Sequence, residues 1–221
     1  MTINETVNDF FAALCAGELD RVKSLLDSDS TLASSKNGSG VSAVLASLYS
    51  GRTEICDLLL TRGARLGLQD AAAAGRLERV KELIDENPAL ANSFSADGFP
   101  VVALACVFGH SEVARFLAER GADIHAAASN GTGYNALTGA VASGHTEITK
   151  WLLESGANAN YSYAAGYTPL LTAAANGRLD IIKLLLAHGA DPTAKTNEGK
   201  SALNLAEERK RSAVVEYLQN R

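Results

Sequence analysis

The chain has 221 residues, 47% of them hydrophobic, and a formal net charge of −5. This composition argues against disorder, and a mildly acidic chain lacks the basic surface that nucleic acids and anionic membranes require. Three cysteines without a Cys-x-x-Cys pair indicate reduced thiols in the cytoplasm rather than a disulfide framework, and neither a signal peptide nor a membrane span is expected.

A run of small residues that ends in glycine recurs along the whole chain. In chain order, the recurring position holds Gly17, Gly51, Gly75, Gly109, Gly144, Gly177 and Lys210. Successive positions are 33 to 35 residues apart, except that only 24 residues separate Gly51 from Gly75. A leucine follows each of them by eight residues: Leu25, Leu59, Leu83, Leu117, Leu152, Leu185 and Leu218. Such a period is typical of a solenoid of stacked units.

Each unit is predicted to contain two short helices. The first is alanine-rich and ends at the recurring glycine, which adopts the conformation of a helix C-terminus at little cost. The second carries an acidic residue in its first turn, which suits the positive end of the helix dipole: Asp20, Glu54, Glu78, Glu112, Glu147 and Asp180. We therefore divide residues 1–221, taken as a single domain, into units at about 4–36, 37–65, 66–94, 95–128, 129–161, 162–195 and 196–221.

Several short stretches resemble the ankyrin repeat, which has a 33-residue period. They are Gly-Tyr-Thr-Pro-Leu at 166–170, Gly-His-Ser-Glu-Val at 109–113, Gly-His-Thr-Glu-Ile at 144–148, and Gly-Ala-Asp at 121–123 and 189–191. The first and third units share a subtype that looks like small stand-alone bacterial proteins of this family. The resemblance implies an all-α repeat solenoid of about seven helix-turn-helix units, joined by projecting β-hairpins called fingers.

Two features depart from the family pattern. The signature histidine is absent, and its positions hold Leu45, Ala103, Thr138, Leu171 and Asn204. This puts the family's histidine-mediated contacts between adjacent repeats in question. The short spacing between Gly51 and Gly75 predicts a third unit with two helices and no finger, which leaves a notch between the neighbouring fingers.

Polar residues mark the two ends of the chain, as the terminal units of a solenoid require. In the last unit they are Glu207, Glu208, Arg209, Lys210, Glu216, Gln219 and Arg221. In the first unit they are Asn4, Glu5, Asn8, Asp9 and Glu18. Both terminal units are therefore predicted to act as caps.

No residue pattern indicates catalysis, a metal or a cofactor. His110 and His145 are equivalent residues of adjacent units, and helices about 8–10 Å apart do not readily let them share a metal with bonds of about 2 Å. We interpret them as polar residues of the turn between helices. Cys56 and Cys106 are predicted to be buried, whereas Cys15 falls at a position that is often exposed. The glycines form no phosphate-binding motif.

Aromatic residues recur at positions that the scaffold does not require. In the family, fingertips and the exposed face of the first helices contact partners on the concave side. The candidate binding residues are Tyr49, Phe99, Phe108, Tyr134, Tyr161, Tyr163 and Tyr167. Tyrosine offers a large contact area at a low entropic cost, and it is enriched at binding hot spots. The alternative is that these rings, and Phe94 above all, pack the fingers against one another.

The sequence therefore predicts a monomeric, non-enzymatic module of the cytoplasm that binds a partner protein through its concave face, without cofactor, nucleic acid or membrane. Two alternatives stay open. One is a protein that binds a small ligand in an aromatic-lined pocket near the missing finger. The other is a thiol-based enzyme or redox sensor that uses Cys15 or Cys106.

Overall fold

The computed structural model describes residues 3–220, and its regular structure is helical. Within this range the α-helices are α1 (Ile3–Ala16), α2 (Leu19–Ser28), α3 (Ala43–Tyr49), α4 (Thr53–Thr61), α5 (Leu68–Ala73), α6 (Leu77–Glu86), α7 (Val101–Val107), α8 (Ser111–Glu119), α9 (Ala136–Ser143), α10 (Thr146–Glu154), α11 (Pro169–Asn176), α12 (Leu179–Ala187), α13 (Ala202–Glu208) and α14 (Ser212–Gln219). None of these helices is long and apolar enough to cross a membrane.

The helices form seven consecutive pairs, from α1–α2 to α13–α14, and the two members of each pair contact each other. The first helix of each pair also packs against the first helix of the next pair, from α1 on α3 to α11 on α13. The second helices form an outer layer, in which α2 contacts α4, α6 contacts α8 and α10 contacts α12. The described chain is thus an all-helical stack of two layers, as the repeat pattern predicts.

Local sequence sets where the first helices begin and end. The side chains of Ser42, Asn135 and Thr168 each accept a hydrogen bond from the backbone N–H three residues on, which caps the N-termini of α3, α9 and α11. Gly109 follows α7 with a φ of +84°, in the left-handed region that glycine tolerates. Lys210 adopts a similar conformation after α13, with a φ of +55°.

Two apolar clusters fill the space between the layers. One contains Phe10, Leu14 and Leu59 and extends to Ala73 and Leu104. The other begins at Leu68 and continues through the later pairs to Val214. The small side chains of the alanine-rich first helices let successive pairs approach closely, and the two clusters meet at the third and fourth pairs.

Short loops with single antiparallel bridges precede several first helices. The bridges join Lys36 to Ser42, Phe94 to Pro100, Tyr163 to Tyr167, and Lys195 to Ser201. The connection between α4 and α5 is only residues 62–67, and no such bridge is recorded in that segment. Two 3-10 helices, Ser30–Ser34 and Pro88–Asn92, follow the second helices of the first and third pairs. The sequence analysis did not predict them.

The loops on either side of residues 62–67 contact each other. A Cβ atom on Gly40 would lie 3.2 Å from the Cβ atom of Ala96, so loop 36–42 meets loop 94–100 at this point. Beneath the contact lies a cavity of about 470 Å³. The two loops that flank the short connection therefore lie close together.

The predicted polar residues at the two ends are largely exposed. Those of the last pair, from Glu207 to Gln219, all lie at the surface, as do Glu5, Asn8 and Glu18 in the first pair. Asp9 is half-buried and forms an ion pair with Arg21 at 2.5 Å. Arg221 and the side chain of Asn4 lie outside the described residues.

Candidate functional site

Five of the six junctions between adjacent helix pairs are linked by the side chain that follows the recurring position. His110 and His145 donate through Nε2 to the carbonyl oxygens of Ala73 and Val107, at 2.9 Å in both cases. Arginines do the same elsewhere. Arg52 donates to Cys15, Arg178 to Ser143 and Arg211 to Ala175, at 3.3, 3.4 and 3.1 Å. These bonds join the pairs in a protein that lacks the signature histidine.

In several units the same side chains add a second reason for glycine at the recurring position, besides its positive φ. A Cβ atom on Gly109 would lie 2.7 Å from the His145 ring, and one on Gly144 would lie 2.5 Å from the Arg178 guanidinium. Sequence reasoning gave these glycines only a conformational role. The sequence feature that could have indicated the second role of these glycines is the arginine or histidine that follows the recurring position in almost every unit.

Three of the predicted binding residues form a first aromatic cluster. Tyr49 lies at the end of α3, and its ring centroid is 6.3 Å from that of Phe99 and 6.0 Å from that of Phe108. Tyr49 belongs to the second pair and the two phenylalanines to the fourth, so the contact spans the third pair. Tyr49 remains 41% exposed.

The other four candidates form a second aromatic cluster, in the fifth and sixth pairs. The Tyr163 ring lies at its centre, with centroids 5.1 Å from Tyr134, 6.4 Å from Tyr161 and 6.5 Å from Tyr167. The Tyr163 hydroxyl is hydrogen-bonded to Thr172, and burial raises the pKa of Tyr163 to about 12. The Tyr161 hydroxyl donates to the carbonyl of Gly133 at 2.9 Å. Tyr161 and Tyr163 therefore also hold the loops together.

A cavity of about 370 Å³ connects the two clusters. Tyr49, Phe99 and Tyr134 line it, together with Leu104, Val107 and a single acidic residue, Asp97. Phe108, Tyr161, Tyr163 and Tyr167 are not part of its lining. The structure thus brings three of the seven candidates to one cavity and arranges the others on either side of it. We call the seven residues together the aromatic face.

The cavity beside residues 62–67 has a different lining. Phe94, which is 43% exposed, is its only aromatic residue, and Lys36, Arg65, Gln69 and Asp70 are also present. The aromatic-lined cavity lies next to this polar one, between the second, fourth and fifth pairs.

Asp70 is the buried carboxylate of this polar cavity and is 7% exposed. It accepts hydrogen bonds from the Ser42 hydroxyl and, at 3.1 Å, from the backbone N–H of Gly67. Burial raises the pKa of Asp70, and these two bonds oppose the change. Because Ser42 caps α3 and Asp70 lies in the first turn of α5, the contact links the second pair to the third.

The thiols differ in environment. Cys15 is exposed, whereas Cys56 and Cys106 are buried, and burial raises the pKa of both buried thiols. A raised pKa disfavours the thiolate, which is the reactive form. Within residues 3–220, no group of three or more histidine, cysteine or acidic side chains is placed to hold a metal ion.

Comparison with known proteins identifies the family. A search of curated proteins found no match. The family model described as "Ankyrin repeats (3 copies)" matches residues 68–163 and 137–221, which together make up more than half of the chain. The match covers the stacked pairs that carry most of the aromatic face. The chain therefore belongs to the ankyrin-repeat family.

Proposed function

We propose that this protein is a non-enzymatic interaction module that binds a partner protein through its concave side, where the aromatic face lies. Ankyrin repeats generally serve as protein-interaction modules. The observation that carries the proposal is the arrangement of two aromatic clusters around one cavity, with Tyr49 41% exposed. Aromatic side chains that are partly exposed around a depression are typical anchors of protein interfaces.

We also propose how the chain is organised. The seven helix pairs are seven ankyrin repeats of a single domain, and the third repeat lacks its finger because only residues 62–67 join α4 to α5. The protein acts in the cytoplasm as a monomer. Finger loss brings the second and fourth repeats together and places Tyr49 beside Phe99.

Two single substitutions test the proposed interface. The partner is captured from a lysate of the source organism with the wild-type protein and identified, and its affinity is then measured. Tyr134→Ala and Tyr167→Ala each remove one ring from the aromatic face. Loss of an interface anchor costs about 2 kcal/mol, so we expect affinity to fall about thirtyfold while the melting temperature changes little.

Tyr163→Ala is the matched comparison, because Tyr163 lies at the centre of its cluster and is bonded to Thr172. We expect this substitution to lower the melting temperature clearly. If Tyr134→Ala and Tyr167→Ala destabilise the protein as much as Tyr163→Ala, or if both bind the partner as the wild type does, the aromatic face is part of the scaffold and the proposal is wrong.

A further inference from the structure

One carboxylate is fixed at the rim of the aromatic cavity. Asp97 lies in loop 94–100, and its carboxylate accepts a hydrogen bond from the Ser95 hydroxyl at 2.6 Å. The next loop holds the Asp97 backbone, because Asn130 donates to its carbonyl at 2.9 Å. The backbone N–H of Ser129 donates to Gly98, also at 2.9 Å. The charge is therefore held in place by hydrogen bonds to neighbouring groups.

No cation of the described chain neutralises this carboxylate. The cavity lining contains no lysine, arginine or histidine, and Asp97 forms no ion pair among residues 3–220. The hydroxyl of Ser95, its hydrogen-bond donor, is neutral. Burial, together with the nearby Asp97 carboxylate, raises the pKa of the Tyr49 hydroxyl, so this carboxylate lies close to the Tyr49 side chain.

Aromatic faces and a carboxylate select the same kind of ligand. The face of an aromatic ring attracts cations, and the attraction grows when the cation is withdrawn from water. A carboxylate at the rim adds charge-assisted hydrogen bonds, which are stronger than neutral ones. A cavity that combines both features without an internal cation is complementary to a positively charged side chain.

We propose that the cavity formed by Tyr49, Phe99, Tyr134 and Asp97 receives an arginine side chain of the partner protein. The inference rests on the proposed function and specifies the chemistry of that partner. Arginine fits better than lysine, because its planar guanidinium is weakly hydrated, stacks on aromatic rings and pairs with a carboxylate through two parallel N–H donors. Its methylene stem packs on Leu104 and Val107 in the cavity wall. The net charge of −5 favours the approach of a basic segment.

Short peptides test the ligand side of the proposal. The probes are acetyl-Gly-Arg-Gly-amide and the same peptide with citrulline, which keeps the shape of arginine without its charge, followed on the full chain by NMR chemical shifts. We expect the arginine peptide to bind in the millimolar range and to shift the signals of Tyr49, Phe99 and Tyr134. The citrulline peptide is expected to bind about tenfold more weakly.

Protein variants test the site. Asp97→Asn is expected to weaken binding of the arginine peptide about tenfold, because it removes the charge with little change in size. Asp57→Asn is the matched control: it makes the same change on the exposed surface of α4, outside the cavity, and is expected to leave the affinity unchanged.

Equal affinity for arginine and citrulline peptides, or wild-type affinity in Asp97→Asn, would overturn the proposal. A lysine peptide that binds as tightly as the arginine peptide would overturn the assignment to arginine. These outcomes are distinct from failure of the proposed function. If the cavity rejects arginine while Tyr167→Ala still loses the captured partner, the interface stands and only the arginine site is wrong.

Discussion

Gly109 has to satisfy two requirements at one residue. Its φ of +84° favours glycine, and a Cβ atom would lie only 2.7 Å from the His145 ring. We predict that Gly109→Ala lowers the free energy of unfolding by roughly 1–2 kcal/mol, because alanine is unfavourable in the left-handed conformation. The free energy falls further because the hydrogen bond from His145 to Val107 is disturbed. Urea denaturation measures the total.

Gly121→Ala separates the two contributions. Gly121 has a φ of +86°, but no other atom lies within 4 Å of the position of its Cβ. The substitution therefore carries the conformational cost alone, and we expect it to destabilise the protein less than Gly109→Ala. Equal losses would mean that the histidine ring moves aside without cost.

His110 makes stability depend on pH. Burial lowers the pKa of His110 below its ordinary value of 6.5, although the hydrogen bond to Ala73 opposes the change. The unfolded chain therefore binds the proton at a higher pH than the folded chain does. The stability that neutral His110 contributes to the folded chain is complete above pH 6.5. It is lost as the pH falls from there through the pKa of His110 in the folded chain.

The pH effect is tested with His110→Gln, which keeps a donor for Ala73 and removes the titration. Melting temperatures are compared between about pH 8 and pH 5, a range that spans the ordinary histidine value. We predict that the melting temperature of His110→Gln falls less over this range than that of the wild type. His125 is exposed, so His125→Gln is the control, and its melting temperature is expected to fall as much as that of the wild type. An unchanged pH dependence in His110→Gln would contradict the assignment.

At the scale of single elements, Ser42 joins two helices. It caps α3 by accepting from the backbone N–H of Leu45, and it donates to the buried Asp70 of α5. Removal of a cap costs about 1 kcal/mol, and the loss of one of the two hydrogen bonds to the buried Asp70 carboxylate adds a similar amount. We therefore predict that Ser42→Ala lowers the free energy of unfolding by about 2 kcal/mol, measured by urea denaturation.

Ser201→Ala is the comparison for this prediction. Ser201 caps α13 by accepting from the backbone N–H of Asn204, and it has no buried carboxylate as a partner. We expect Ser201→Ala to lower the free energy of unfolding by about 1 kcal/mol. If Ser42→Ala and Ser201→Ala cost the same, the bond between Ser42 and Asp70 contributes nothing to stability.

The helices were predictable because every unit repeats the same local signals. Alanine-rich runs, the glycine after them and the acidic first turn recur in phase, and the family follows from them. The 3-10 helices Ser30–Ser34 and Pro88–Asn92 were not predictable, because their short apolar segments carry no helical period. The lining of the aromatic cavity was not predictable either, since it combines Tyr49 of α3 with Phe99 and Tyr134 from loops far apart in sequence. Only tertiary packing brings these rings together.

For the whole molecule, the last pair is expected to protect the rest of the stack. Leu205, Ala206 and Val214 belong to the apolar cluster that runs through the later pairs, and α13 packs on α11. We predict that deletion of residues 196–221 exposes this apolar surface and causes aggregation or a marked fall in melting temperature.

The deletion is compared with Glu207→Gln and Glu216→Gln, which change exposed charges and keep the apolar contacts. Both variants are expected to melt as the wild type does. A truncated protein that is as soluble and as stable as the full chain would show that the last pair is not a cap.

The contacts across the third pair change how the molecule can come apart. In an array whose units touch only adjacent units, one end can unzip while the remainder stays folded. Here loop 36–42 touches Ala96, and Tyr49 touches Phe99 and Phe108, so the second and fourth pairs depend on each other directly. The second, third and fourth pairs therefore open and close as one cooperative block. A partner that binds Tyr49, Phe99 and Phe108 therefore contacts residues of one block, and its binding energy stabilises all three pairs at once.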